Sequence, residues 1–229
     1  MRFETNIQRR MASRNKMCLA VDNDYKGKKV LDIGCSYGWF EKLVDAKEIV
    51  GIELVEKDFK DAKKEVKSSK DKKITFMQGD VLNLDFPKDI FDRVVMFDVI
   101  EHVPKGKEKE AINQIKKVLK SEGKLVISTP ARNFTKFLDP AWYFGHRHYT
   151  IDEVKDMLGA DFVVEKAVIR GKFYDILGLL LFYPFKWFLN SEIPFKEWFD
   201  RKRDKEYLKD KGGVVTLYVV ARKKQNERR

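Results

Sequence analysis

Cysteine, histidine and glutamine are all scarce in this chain. Its two cysteines, Cys18 and Cys35, cannot build a disulfide framework, so a reducing, cytoplasmic setting is expected. Its three histidines, His102, His146 and His148, leave few candidates for a base that works near neutral pH. No apolar run reaches the ~20 residues needed to cross a bilayer. Met1 to Lys16 lack the apolar segment of a secretory signal, so no export is expected. Internal repeats and low-complexity linkers are also missing, which excludes solenoids and tethered modules.

The 229 residues suit one α/β domain spanning 1–229, and 43% hydrophobic with 36% charged residues excludes a disordered chain. The formal charge of +11 is unevenly placed. Residues 1–30 carry eight Lys/Arg against three acids, residues 186–229 carry thirteen against seven, and the stretch between is balanced. Basic ends on a neutral body fit an anionic partner, a membrane surface or a nucleic acid, and equally fit simple solubilising charge. Abundant lysine and glutamate match the balance of heat-adapted proteins.

Val30-Leu-Asp-Ile-Gly-Cys-Ser-Tyr-Gly-Trp-Phe40 breaks an apolar run with closely spaced glycines and then resumes it. A buried strand turning sharply into a helix has this form, and the helix N-terminus is then open to a ligand. Further apolar runs end in polar residues: Ile49 to Glu53, Ile74 to Gln78 before Gly79-Asp80-Val81, and Phe91 to Phe97 before Asp98-Val-Ile-Glu-His-Val103. Parallel strands would gather these polar ends along one edge, where such sheets bind ligands. Glu53 lies where a nucleotide fold places the acid that grips ribose hydroxyls.

Later segments extend the pattern. Lys124 to Ser128 is expected as a fifth strand behind Gly123, which suits a helix C-cap; Phe162 to Ile169 and Val214 to Val220 follow as strands six and seven. Phe59, Ala62 and Val66, then Ala111 to Leu119, carry helical spacing, and Thr150-Ile-Asp-Glu153 reads as a capping box. Residues 1–27 form a basic, helical extension. An apolar, aromatic and basic insertion spans 172–211, a length open to a lid, a packing or dimer helix, or an interfacial segment on an anionic membrane.

From Lys28 onward these residues resemble the class I S-adenosylmethionine-dependent methyltransferases, in particular small-molecule and ubiquinone-type members. Asp32-Ile-Gly-Cys-Ser-Tyr-Gly38 is similar to their motif I, with Ser36 where a glycine is usual. The resemblance implies a Rossmann-like seven-stranded sheet with helices on both faces, order 3-2-1-4-5-7-6, and S-adenosyl-L-methionine as cofactor. It implies cofactor contacts at Asp32, Gly34, Cys35, Gly38, Glu53, Asp80, Val81 and Asp98, with Asp80 on the adenine amine. A dehydrogenase is disfavoured, because the full Gly-x-Gly-x-x-Gly spacing is lacking.

Methyl transfer needs a positioned acceptor and, for a hydroxyl or amine, a base. His102, His146 and His148 are the catalytic candidates, with Trp142 and Tyr143 shaping the acceptor pocket. Some relatives hold a divalent ion through an acid, a Glu-His pair and a later histidine, which Asp98, Glu101, His102 and either His146 or His148 resemble. The competing reading makes Glu101-His102 a helix cap, and no metal is assigned. The expected function is transfer of a methyl group to a small or lipid-like acceptor, through oxygen ahead of nitrogen or carbon, in the cytoplasm or at the membrane's inner face. RNA or protein methylation is the alternative, disfavoured by the missing Asn/Asp-Pro-Pro-aromatic motif, and a non-catalytic binding protein is another.

Overall fold

The computed structural model describes residues 12–143, 145–188 and 195–225. Seven strands share one sheet: β1 Lys29–Ile33, β2 Glu48–Glu53, β3 Lys73–Gln78, β4 Phe91–Phe97, β5 Leu119–Pro130, β6 Phe162–Arg170 and β7 Thr216–Lys223. Their order is β3-β2-β1-β4-β5-β7-β6, and only β7 runs antiparallel to its neighbours. Both the count and the order match expectation.

Strict alternation along the central strands sends side chains to two cores. Leu31, Val94, Met96, Leu125 and Ile127 face one layer, which α4 (Glu108–Val118) and α6 (Ile151–Leu158) cover with Ala111, Ile112, Ile115, Val154 and Leu158. Val30, Val95, Val126, Tyr218 and Val220 face the other. There Met17, Cys18 and Val21 of α1 (Ser13–Val21), Phe40 of α2 (Trp39–Leu43) and Tyr207 of α8 (Lys196–Leu208) close the layer. Each such aliphatic or aromatic side chain contributes about 1.5–3 kcal/mol by leaving water. Phe59 and Ala62 of α3 (Glu56–Glu65) pack a smaller cluster with Phe76 and Cys35.

Two boundaries differ from the sequence reading. Helix α4 ends at Val118, and Leu119 already belongs to β5. Gly123 is therefore no helix cap; it lies inside β5, beside a register shift between Phe91 and Arg93. The extra residues of the irregularity break the alternation that would have marked a longer strand. Strand β7 is also displaced, starting at Thr216 and running on to Lys223. The capping box stands as expected, with Thr150 and Glu153 bonded reciprocally.

The segment between β6 and β7 contains α7 (Phe173–Phe188) and α8. Glu206 of α8 accepts the N–H groups of Lys172, Tyr174 and Asp175 at 2.8–3.0 Å, capping the open N-terminus of α7. Helix α8 packs on α1, where Asp204 takes the Ser13 hydroxyl and Lys16. Residues 1–11 of the expected extension and 189–194 of the insertion lie outside the described residues.

Candidate active site

The chain leaves β1 through a bend held in left-handed backbone at Gly34, Ser36 and Gly38, with φ of +79°, +45° and +72°. A Cβ on Gly34 would strike Val99, so glycine is required there by space as well as by φ. The N–H groups of Gly34 and Cys35 both donate to the Ile52 carbonyl, at 2.8 and 3.1 Å, pinning the bend to β2. Glu53, the last residue of β2, lies against it: Oε2 accepts the Ser36 N–H at 3.1 Å and Oε1 the Leu54 N–H at 2.9 Å. Beyond β3, Asp80 accepts the Leu82 N–H at 2.8 Å and Val81 is buried. Asp32 inside β1, Glu53 closing β2 and Asp80 just past β3 thus stand at the C-terminal ends of three adjacent strands.

Asp32 and Cys35 are less accessible than the sequence suggests. Cys35 turns its thiol into the small core, where burial pushes its pKa upward, so only its backbone lines the bend. Asp32 is 3% exposed, and burial followed by the charge of Glu41 raises its carboxyl well above the ordinary range. Glu41 on α2 is fully buried against Asp32, and burial lifts it to about 7. The sequence reading missed Glu41, because an acid in the first turn of a helix looks like a solvated charge.

Asp98, at φ +54°, accepts the Ser128 hydroxyl at 3.1 Å and forms an ion pair with Arg14 of α1. The carboxylate keeps that guanidinium charged. No sequence signal joins residues 84 positions apart, so Arg14 went unnoticed.

A second cluster forms where the 3₁₀ turn Ile100–His102 meets the loop before α6. Arg147 joins them: its guanidinium donates to the carbonyls of Ile100, Glu101 and Val103 and pairs with Glu108. With the loops so fastened, His102 and His146 bring their Nε2 atoms to 2.9 Å. Glu101 is 3% exposed; its Oε2 accepts the Thr129 hydroxyl at 3.0 Å while Oε1 has no partner. Burial, then the charge of Asp98, pushes its carboxyl up to about 8. Burial and His102 lower His146, which favours its neutral, ligating form.

Ligand atoms of Glu101, His102 and His146 all lie within 4.8 Å of one another. An orphaned carboxylate oxygen beside two imidazoles fits a divalent ion, and this donor set suits a transition metal better than magnesium. The set suggested by the sequence is narrowed: Asp98 serves Arg14, and His148 stands apart. His148 Nε2 lies 3.0 Å from Asp139 and Nδ1 3.3 Å from the Ala131 carbonyl, so both ring nitrogens are engaged.

Glu101, His102, Arg132, Lys136, Trp142 and His146 line a cavity of about 1280 Å³. Trp142 shapes it as expected; Tyr143 does not, being 65% exposed with its hydroxyl donated to the Phe137 carbonyl. A second cavity of about 280 Å³, walled by Arg14, Leu138, His148, Ile176, Arg203 and Thr216, lies beside the ends of β5 and β7.

A sheet in this order, with a glycine bend after its first strand and acids after the next two, defines the class I S-adenosylmethionine-dependent methyltransferase fold. Residues 31–127 match the family described as a methyltransferase domain. It is 33% identical over 98 residues to an uncharacterised protein of Methanocaldococcus jannaschii, which covers 43% of this chain and 39% of that one. The match thus spans about two fifths of the curated relative's length. Among solved structures, a chain of the complex between the Haloferax volcanii Trm112 methyltransferase activator and a methyltransferase superposes with a TM-score of 0.65 at 16% identity, covering 95% of this chain and 91% of that one. A methyltransferase from Listeria monocytogenes described as S-adenosylmethionine dependent gives 0.64 at 17% identity, with coverages of 93% and 99%. Likeness at these identities is a likeness of fold.

Proposed function

We propose that the chain transfers the methyl group of S-adenosyl-L-methionine to a hydroxyl of a small, lipid-like acceptor. The observation that carries the reading is the shared edge. Glu53 closes β2, and Glu101 and His102 follow β4, strands that flank β1, while His146 joins them from the loop after β5. Glu53 keeps lone pairs for two ribose hydroxyls, Asp80 takes the adenine amine, and Val81 packs the ring. Asp32, the backbone of Gly34, Cys35 and Gly38, and Asp98 surround the methionine end.

The cofactor supplies the reactive sulfonium, and the protein supplies position. As the acceptor oxygen bonds to the methyl carbon, the C–S bond breaks and the hydroxyl proton passes to the His102–His146 pair, leaving S-adenosylhomocysteine. Were Glu101, His102 and His146 to hold a divalent ion instead, the ion would replace that base by favouring the alkoxide form of the acceptor. Arg147 holds both loops in register. His148, hydrogen-bonded to Asp139, orients the acceptor rather than taking its proton. The lipid-like character rests on Trp142 in the larger cavity and on Leu138 and Ile176 in the smaller.

Calorimetry tests the reading directly. Wild-type protein should bind S-adenosylmethionine, and Glu53→Ala should weaken binding at least about tenfold, the loss of ~1.4 kcal/mol of charged hydrogen bonding. His102→Ala should keep cofactor affinity and lose about 10²–10⁴ in turnover of phenolic amphiphiles. Equal affinity in wild type and Glu53→Ala would remove the cofactor assignment. The Haloferax neighbour's complex with an activator favours a second reading, in which a small protein partner completes the enzyme. Turnover by the purified chain alone would dispose of that.

A further inference from the structure

Large apolar side chains stand in water along one group of adjoining elements. Phe134 is 74% exposed and Phe137 53% in the 3₁₀ turn Phe134–Leu138, Phe173 64% on α7, and Phe195, at the start of α8, 83%. The turn packs against α7 and α7 against α8, so the exposed rings belong to neighbouring elements. Tyr174 of α7 and Trp198 of α8 stack edge-to-face at 5.4 Å, joining the two helices.

Several acids on this face are engaged inward. Asp175 turns inward to Arg203 and Tyr207, Glu206 caps α7, and Asp204 is taken by Ser13 and Lys16. Arg201 and Lys205 are exposed on α8 and Lys209 just past its end, against the exposed Glu197 and the half-buried Asp200. Two lysines sit over rings: Lys136 lies 4.9 Å from Phe137 and 5.4 Å from Trp142, and Lys202 5.6 Å from Tyr174 and 5.4 Å from Trp198. Aromatic side chains interleaved with cations suit the headgroup layer, where rings enter the acyl boundary and ammonium groups meet phosphates. Helix α7 has 16 residues, about 24 Å at 1.5 Å per residue, short of the ~30 Å hydrocarbon core. No helix among the described residues is long and apolar enough to cross a membrane. Contact along the surface is what these dimensions permit.

We propose that the face formed by residues 134–143, α7 and α8 docks on an anionic phospholipid surface. Lys136 and Trp142 line the larger cavity, and Leu138 and Ile176 the smaller, so docking would present both cavities to the bilayer. The docking stands on this surface alone. Its use, admission of an amphiphilic acceptor directly from the lipid, rests on the methyl-transfer reading.

The test is sedimentation of the full chain with vesicles of phosphatidylglycerol or phosphatidylcholine, at low and at physiological salt. Binding to phosphatidylglycerol is expected at least about tenfold tighter than to phosphatidylcholine and weaker at high salt. The triple variant Phe134→Ser, Phe173→Ser, Phe195→Ser should lose at least about tenfold in vesicle affinity while calorimetric cofactor binding is unchanged. Equal binding to both lipids, or unchanged binding by the triple variant, would overturn the proposal. So would a wild-type dimer in light scattering that the triple variant dissolves, since the occupant would then be a second copy of this chain. Cofactor binding is read separately, so its absence would strike the enzymatic reading and leave the vesicle result standing.

Discussion

A single carboxyl, Glu41, makes the cofactor bend sensitive to pH. It is fully buried, next to an Asp32 that burial has also raised. An acid raised in the folded state binds its proton more tightly there than when unfolded. Its contribution is therefore complete below the unfolded value near 4.5 and is lost as pH climbs to about 7. Folding stability should fall over that window by on the order of 2–3 kcal/mol. Glu41→Gln keeps the shape, removes the charge, and should flatten part of the slope in urea unfolding between pH 5 and pH 8, with Asp32 and Glu101, also raised by burial, carrying the rest. A slope identical to wild type would mean the carboxyl does not titrate as described. Cys35, two residues earlier than Tyr37 on the bend, illustrates the limit of motif reading: its place in the motif was legible, its burial was not.

Among the elements, the loop before α6 owes its position to Arg147 more than to either histidine. A guanidinium that donates to three carbonyls of another loop and pairs with Glu108 fixes both backbones at once. Arg147→Ala should lower turnover by about tenfold or more, because a ~1 Å displacement of His146 costs proximity, while S-adenosylmethionine affinity holds. Parallel loss of cofactor binding would show that Arg147 stabilises the whole edge instead. The central strands were legible because four apolar runs each end in polar residues. The irregular start of β5 was not, because Lys120 to Gly123 carries turn chemistry inside a strand.

At the scale of the molecule, buried charges fasten the N-terminal segment to the sheet. Arg93 of β4, 6% exposed at its side chain, holds Asp22 at 3.1 Å and Asp24 at 2.7 Å, and Arg14 reaches Asp98 from α1. Arg93→Met would leave Asp22 buried and unpaired, with an expected loss of about 3–5 kcal/mol in denaturant unfolding. A loss below ~1 kcal/mol would mean that water reaches the pair. Docking of α1 on α8 places residues near both ends of the chain over one core, beside the candidate site.

The amino-acid sequence alone determined the central strands, the glycine bend, and the edge on which Glu53, Asp80 and Glu101-His102 collect, because local periodicity and backbone stereochemistry act over a few residues; the strand order followed from the family resemblance. Only the tertiary structure decided which groups meet: Arg14 with Asp98, Glu41 with Asp32, His102 with His146 and not His148. Those pairings join residues far apart in the chain, and burial and Coulomb interactions between them exist only once the sheet has brought its loops together.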